Sequence, residues 1–203
     1  MRLPNSEHES RPWVIREIAK DFTLEDVWGL SLKRSGPHDL DKLIALVTAS
    51  DPAHGALPVR ILWGARDLLG KWFDLGRISE PSGGGTNDLP IPGTTETSLV
   101  GRLPADLVGS ADDVEFGSLP FTPLYRTDNE FAAELGNRTV HGVMHLALVE
   151  MGDGRQQGQM AVYVKPRGRF GRAYMAFIKP FRYAIVYPAL TRQFERGWAA
   201  QST

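Results

Sequence analysis

Cysteine is absent from all 203 residues. That excludes disulfides, thiolate metal sites, iron–sulfur clusters and a cysteine nucleophile together, and it fits a reducing compartment. Net charge is nearly absent too: 23 basic against 24 acidic side chains leave −1. With no helix-turn-helix or RNA-binding signature, no nucleic-acid partner is expected. The first residues, Met1 to Arg11, are polar and lack the apolar stretch of a secretory signal, so residues 1–11 are expected to be loosely ordered and the protein cytoplasmic. No G-x-S-x-G elbow and no H-E-x-x-H occurs. The glycine run Ser82 to Thr86 has neither the lysine nor the preceding strand of a phosphate-binding loop.

What is present is ordinary globular composition, 42% hydrophobic and 23% charged. The length suits one domain, placed at 12–198. Charge is unevenly spread. Residues 165–203 carry eight basic side chains, Lys165 to Arg196, against the single acid Glu195, so the preceding residues are net acidic. Such polarity suits pairing between segments of the same chain as well as an anionic partner.

Periodicity gives the elements. Trp13 to Phe22 alternates and predicts a strand, with Val14, Ile18 and Phe22 on one face. Thr23, three residues before Asp26, predicts a short helix through Val27, Trp28 and Leu30. A second helix opens at His38 or Asp39, with Leu40, Leu43, Ile44 and Val47 on one stripe. A third runs from Pro58 to Gly76 through Leu62, Ala65, Leu69, Trp72 and Phe73. Residues 79–98, rich in Gly, Pro, Ser and Thr, predict a long mobile loop. From Phe121 the period becomes two, predicting consecutive antiparallel strands at 121–126, 130–135, 139–150 and 157–165. The apolar segment from Gly171 to Trp198, interrupted by Pro180 and Pro188, predicts a long bent helix. Helices beside an antiparallel meander make the fold class α+β.

His141 and His145 have the spacing of a helical metal site, but their surroundings predict a strand. There they lie about 13 Å apart and are expected to face solvent or a partner, opposite Met144 and Leu148. Glu130, Glu134 and Glu150 read as a solvated face. Asp67 is a candidate general base, or an ion-pair partner of Arg66 or Arg102. No metal and no cofactor is expected. The closing segment carries Lys179, Pro180 and Arg182 mid-way, at ~2.5–3.5 kcal/mol per central charge in a bilayer. It is expected not to span a membrane, and its aromatic residues between basic flanks leave contact with a membrane surface open.

The run from Gly171 to Arg182 (GRAYMAFIKPFR) resembles the closing motif of the DUF2867 family of bacterial proteins, and the run from Trp63 to Gly70 (WGARDLLG) resembles that family's tryptophan and Arg-Asp helix. The similarity spans about residues 12 to 192. The resemblance implies a helix-grip fold, as in the START-like and Bet v 1-like superfamily: a curved antiparallel sheet wrapped on a long C-terminal helix around a cavity. It implies no activity. The expectation is a binding module for a small hydrophobic or aromatic molecule between sheet and closing helix. Its lining is drawn from Trp63, Tyr125, Met144, Met160, Tyr174, Phe177 and Phe181. Two alternatives stand beside it. One is a cyclase- or dehydratase-like enzyme using acid–base chemistry in that cavity; the other is a peripheral membrane or protein-interaction module.

Overall fold

The computed structural model describes residues 1–31, 39–49, 98–117, 119–136, 140–152 and 156–181, with Tyr183, Arg192, Phe194, Gly197 and Trp198. In chain order these give β1 (Arg2–Leu3), α1 (Asn5–Glu9), α2 (Ile15–Ile18), β2 (Thr23–Ser31), α3 (Asp39–Thr48), a 3-10 turn (Leu99–Arg102), β3 (Thr122–Arg126), β4 (Glu130–Gly136), β5 (Val140–Glu150), β6 (Gln156–Pro166) and α4 (Gly168–Phe181). The third expected helix and most of the Gly/Pro-rich loop lie outside the described residues.

The strands form one antiparallel sheet in the order β1-β2-β6-β5-β4-β3. β3 to β6 are the expected meander. The meander is closed on its far side by β2, which runs against β6 from Thr23↔Val164 to Ser31↔Gln157. The fold is α+β. Where a long closing helix is expected from Gly171 to Trp198, α4 spans Gly168–Phe181, with Pro180 inside it, and most of the remaining expected span lies outside the described residues. Among the described residues no helix is long and apolar enough to cross a membrane.

Alternation along β5 sends its side chains to two faces, and both are covered. Even-numbered Met144, Leu146 and Leu148 join Phe131 and Ala133 of β4, Met160 of β6 and Trp28 and Leu30 of β2 in one core. This core lies under Leu40, Leu43, Ile44 and Val47, the stripe expected for α3. Phe116, Phe194 and Trp198 complete it. A Cβ at Gly197 would stand 2.6 Å from Leu46 Cδ2, so glycine there lets the C-terminal segment lie against α3. This is the helix face. Odd-numbered Val143, Ala147 and Val149 belong to a second core with Ala132, Ala161 and Tyr163. It is roofed by Trp13, Ile15, Ile18, Ala19 and Leu99. This is the cap face.

The first 31 residues depart from expectation. Residues 1–11 are ordered: Arg2 and Leu3 pair with Trp28 and Val27, and the Asn5 amide donates to Leu24 O at 2.8 Å. Residues 13–22 hold the short helix α2, Ile15–Ile18, between turns rather than a strand. Its buried residues Ile15, Ile18 and Ala19 follow helical i, i+3, i+4 spacing, which a period-two reading of Val14, Ile18 and Phe22 conceals. Thr23–Ser31 is a strand rather than a helix. A bulge between Leu24 and Asp26 adds one residue to the alternation. It spaces Leu24, Val27 and Trp28 as a helix would.

Candidate functional site

The cap face buries polar groups at its centre. Glu130, from the first position of β4, pairs in register with Ala147, and His145 with Ala132, so carboxylate and imidazole meet diagonally across two strands. His145 Nε2 lies 2.8 Å from Glu130 Oε2. The Tyr125 hydroxyl donates to the same oxygen at 2.8 Å, and the Val14 N–H donates to Oε1 at 3.0 Å. Above them lies the His8 ring, 5.0 Å from the His145 ring and edge-on to it. Trp13 stacks on His8 at 5.8 Å, and Tyr163 of β6 lies 5.8 Å away. Gln159 completes the group from the β6 position opposite Ala147.

Burial and donors together set the charges. Burial pushes the Glu130 carboxyl up, but donors from His145, Val14 and Tyr125 outweigh it and hold it below the usual carboxylate range. Burial pushes His145 down despite the Glu130 acceptor. A neutral His145 beside an ionised Glu130 carries its proton on Nε2, leaving Nδ1 as a bare acceptor. Burial, helped by His145, lowers His8 to about 3. Burial also raises both phenols, Tyr125 and Tyr163. The cluster therefore holds one negative charge, on Glu130, already met by three donors.

Its other polar atoms are not met. Both His8 ring nitrogens, Trp13 Nε1, His145 Nδ1, Gln159 Oε1 and the Tyr163 hydroxyl are buried without a hydrogen bond of good geometry among the described residues, although the His8 and Gln159 side chains interact with each other. Six such atoms within one cluster are unusual, because buried polar groups in native proteins are nearly always paired.

Four residues further along the same strands stands a second Glu–His pair. His141 Nε2 lies 2.7 Å from Glu134 Oε2. Glu134 also accepts from the Ser98 hydroxyl and from Leu99 N–H at 3.2 Å, while Phe22 presents an edge to His141 at 4.8 Å. This pair fastens the 3-10 turn to the sheet. Beyond it, Asp21 takes Arg102 and Lys165, and the Arg102 guanidinium holds its carboxyl well below the usual range. Among the described residues no group of three or more His, Asp or Glu is placed to hold a metal ion.

One family model matches the chain, that of a protein of unknown function, DUF2867, over residues 18–189. The chain belongs to the DUF2867 family. No curated protein and no solved structure matches it.

In this DUF2867 protein the residues expected to line one cavity are not brought together. Met144 and Met160 share the helix face, 7% and 3% exposed, whereas Tyr125 is on the cap face, because it pairs with Ala132 and hence with His145. Phe177 is 63% exposed. Trp63 and the side chains of Tyr174 and Phe181 lie outside the described residues, as do Arg66 and Asp67. His141, His145, Glu130 and Glu134, expected towards solvent, are all at most 3% exposed. They stand on the face opposite Met144, as expected, but residues from 1–22 and 98–107 roof that face. Glu150 is exposed as expected. A signal for the site was present: E-x-x-x-E on one strand and H-x-x-x-H on the next, joined across Gly136-Asn137, fall diagonal to each other in an antiparallel register. His8 and Trp13 offered none.

Proposed function

We propose that the protein binds a small molecule on the cap face, between strands β4–β6 and residues 8–16, on a scaffold of the helix-grip kind. The six unpartnered buried polar atoms carry this reading. Each such group left dry costs about 1–3 kcal/mol, and together they would consume much of the ~5–15 kcal/mol by which a domain is stable. A structural core would place apolar side chains there; a binding site keeps polar groups for its guest. The scaffold reading draws support from the strand order, in which β2 returns to pair with the last strand and a helix follows it. An acid–base role draws on the same residues, with Glu130 orienting His145 so that Nδ1 faces the guest. The location we propose is cytoplasmic.

The test is a high-resolution structure, with native mass spectrometry, of protein purified undenatured from cells. The expected result is a bound small molecule whose polar atoms lie within hydrogen-bond distance of His145 Nδ1, Trp13 Nε1 or Tyr163 Oη. Ordered waters alone, retained across a soaked metabolite panel, would overturn it.

A second reading places a mainly hydrophobic guest on the helix face, beneath the closing segment. It is favoured by Met144 and Met160, flexible thioethers that share that core from diagonal positions on β5 and β6. A thermal-shift panel of lipids and aromatic metabolites separates the two: saturable lipid stabilisation that survives Tyr163→Phe belongs to the helix face.

A further inference from the structure

The geometry points to an uncharged planar nitrogen heterocycle or primary amide as the cap-face ligand, seated where the His8 ring now lies. This rests on the cap-face reading and names the ligand class for it. His8 is fully buried, stacked on Trp13 with 26° between planes and edge-on to His145 at 71°. Tyr163 closes the third side at 60°. The seat is thus shaped for one flat ring. Yet its polar contacts there are poor: the Gln159 side chain interacts with the imidazole, but no hydrogen bond of good geometry reaches either ring nitrogen or the four wall atoms among the described residues. Shape is matched and polarity is not, as for a side chain standing in for another molecule.

The four wall atoms define what would fit better. Trp13 Nε1–H donates, His145 Nδ1 and Gln159 Oε1 accept, and the Tyr163 hydroxyl does either. A flat ring or amide with an N–H beside a carbonyl or ring nitrogen answers both kinds. An anion would face the Glu130 carboxylate behind His145. A cation would find that carboxylate already held by three donors. A hydrocarbon would leave every wall atom unmet.

His8 is also poorly fastened. It rides on the five-residue α1, which has no side-chain cap. The segment is held by two β1 residues at the sheet edge, by hydrogen bonds in both directions between Met1 and Gly29, by the Asn5 amide, by Arg2 over the Tyr183 ring and by Leu3 in the cap-face core. A short edge strand of this kind opens locally at little cost. When the guest enters, the imidazole leaves to water and recovers its hydration.

The experiment uses imidazole and nicotinamide at pH 8 as probes and benzoate as the planar anionic control, on the full chain. His8→Gly is expected to bind imidazole or nicotinamide at least tenfold more tightly than wild type, because no side chain has to be displaced. Tyr163→Phe added to His8→Gly is expected to weaken that binding several-fold. In wild type, saturating probe is expected to speed amide hydrogen exchange across residues 2–13. Equal binding by wild type and His8→Gly, preference for benzoate, or unchanged exchange in residues 2–13 at saturation overturns the inference. Should His8→Gly fail to fold, the wild-type exchange measurement decides alone. A natural guest on the cap face that is anionic or non-planar overturns this inference and leaves the cap-face reading standing; water alone on that face sinks both.

Discussion

Two glutamate–histidine pairs lie on one face of one sheet, built by the same diagonal across β4 and β5, and they differ in what surrounds them. Glu134–His141 is fixed by the Ser98 hydroxyl, the Leu99 N–H and the Phe22 ring. It ties a turn to the sheet. Glu130–His145 is equally well held on its carboxylate side, yet its imidazole looks into a cluster of six polar atoms with no partner among the described residues. Identical residue pairs thus stand in different surroundings, and the difference lies in what the roof brings: a turn that donates to the carboxylate at one end, the His8 imidazole at the other.

The strongest way to break this comparison is to remove each carboxylate. Glu130→Ala and Glu134→Ala each strand three donors and are expected to cost about 3 kcal/mol in urea unfolding. Only Glu130→Ala is expected to abolish a ligand-induced thermal shift as well. If both or neither abolish it, the two pairs are not functionally distinct.

The phenols sharpen the contrast. Tyr125→Phe removes a hydrogen bond to an ionised carboxylate and is expected to cost about 1.5–3 kcal/mol. Tyr163→Phe removes a hydroxyl without a partner among the described residues and is expected to change ligand-free stability by less than about 0.5 kcal/mol. Equal losses in denaturant melts would mean that the Tyr163 hydroxyl is satisfied in solution.

Acid offers a third approach. His8 has a folded pKa of about 3 against 6.5 when unfolded, so between those values the unfolded state binds more protons. Stability contributed by neutral His8 is therefore complete above pH 6.5 and is lost as pH falls towards 3, by up to about 1.4 kcal/mol per pH unit. His145, the Gln159 side chain, Glu130 and Arg16 all act on this group. Unfolding followed from pH 8 to 4 in wild type and His8→Phe should show a shallower slope in the variant. An unchanged slope would assign the titration elsewhere. The smallest expected effect lies at the saturated pair. Ser98→Ala removes the hydroxyl that accepts from Val100 N–H and donates to Glu134, for about 1 kcal/mol, with ligand response intact.

How much was legible follows from what each pattern depends on. The meander and the α3 stripe are local matters: Leu40, Leu43, Ile44 and Val47 carry their period whatever packs on them. So does the alternation of Met144, Leu146 and Leu148. The residues around 13–31 misled because a β-bulge and a short helix exchange the two periods. The site was half visible. Glu130, Glu134, His141 and His145 stand out as a spaced set, but alternation tells only that they share a face, never whether that face is wet.

By itself, then, the sequence determined the α+β class, the order and direction of the four meander strands, the buried stripe of α3 and the family. Those follow from side-chain period and turn chemistry, which act over a few residues. Only the tertiary structure decided that the face bearing the histidines is roofed, that β2 closes the meander against β6, and that Tyr125 stands on the opposite side of the sheet from Met144 and Met160. The first two depend on contacts between residues more than a hundred positions apart, such as Val14 with Glu130, and the third on a bulge between Pro123 and Tyr125 that shifts the register of β3. Local pattern carries no record of such meetings. Burial is a property of what covers a residue, and the cover comes from elsewhere in the chain.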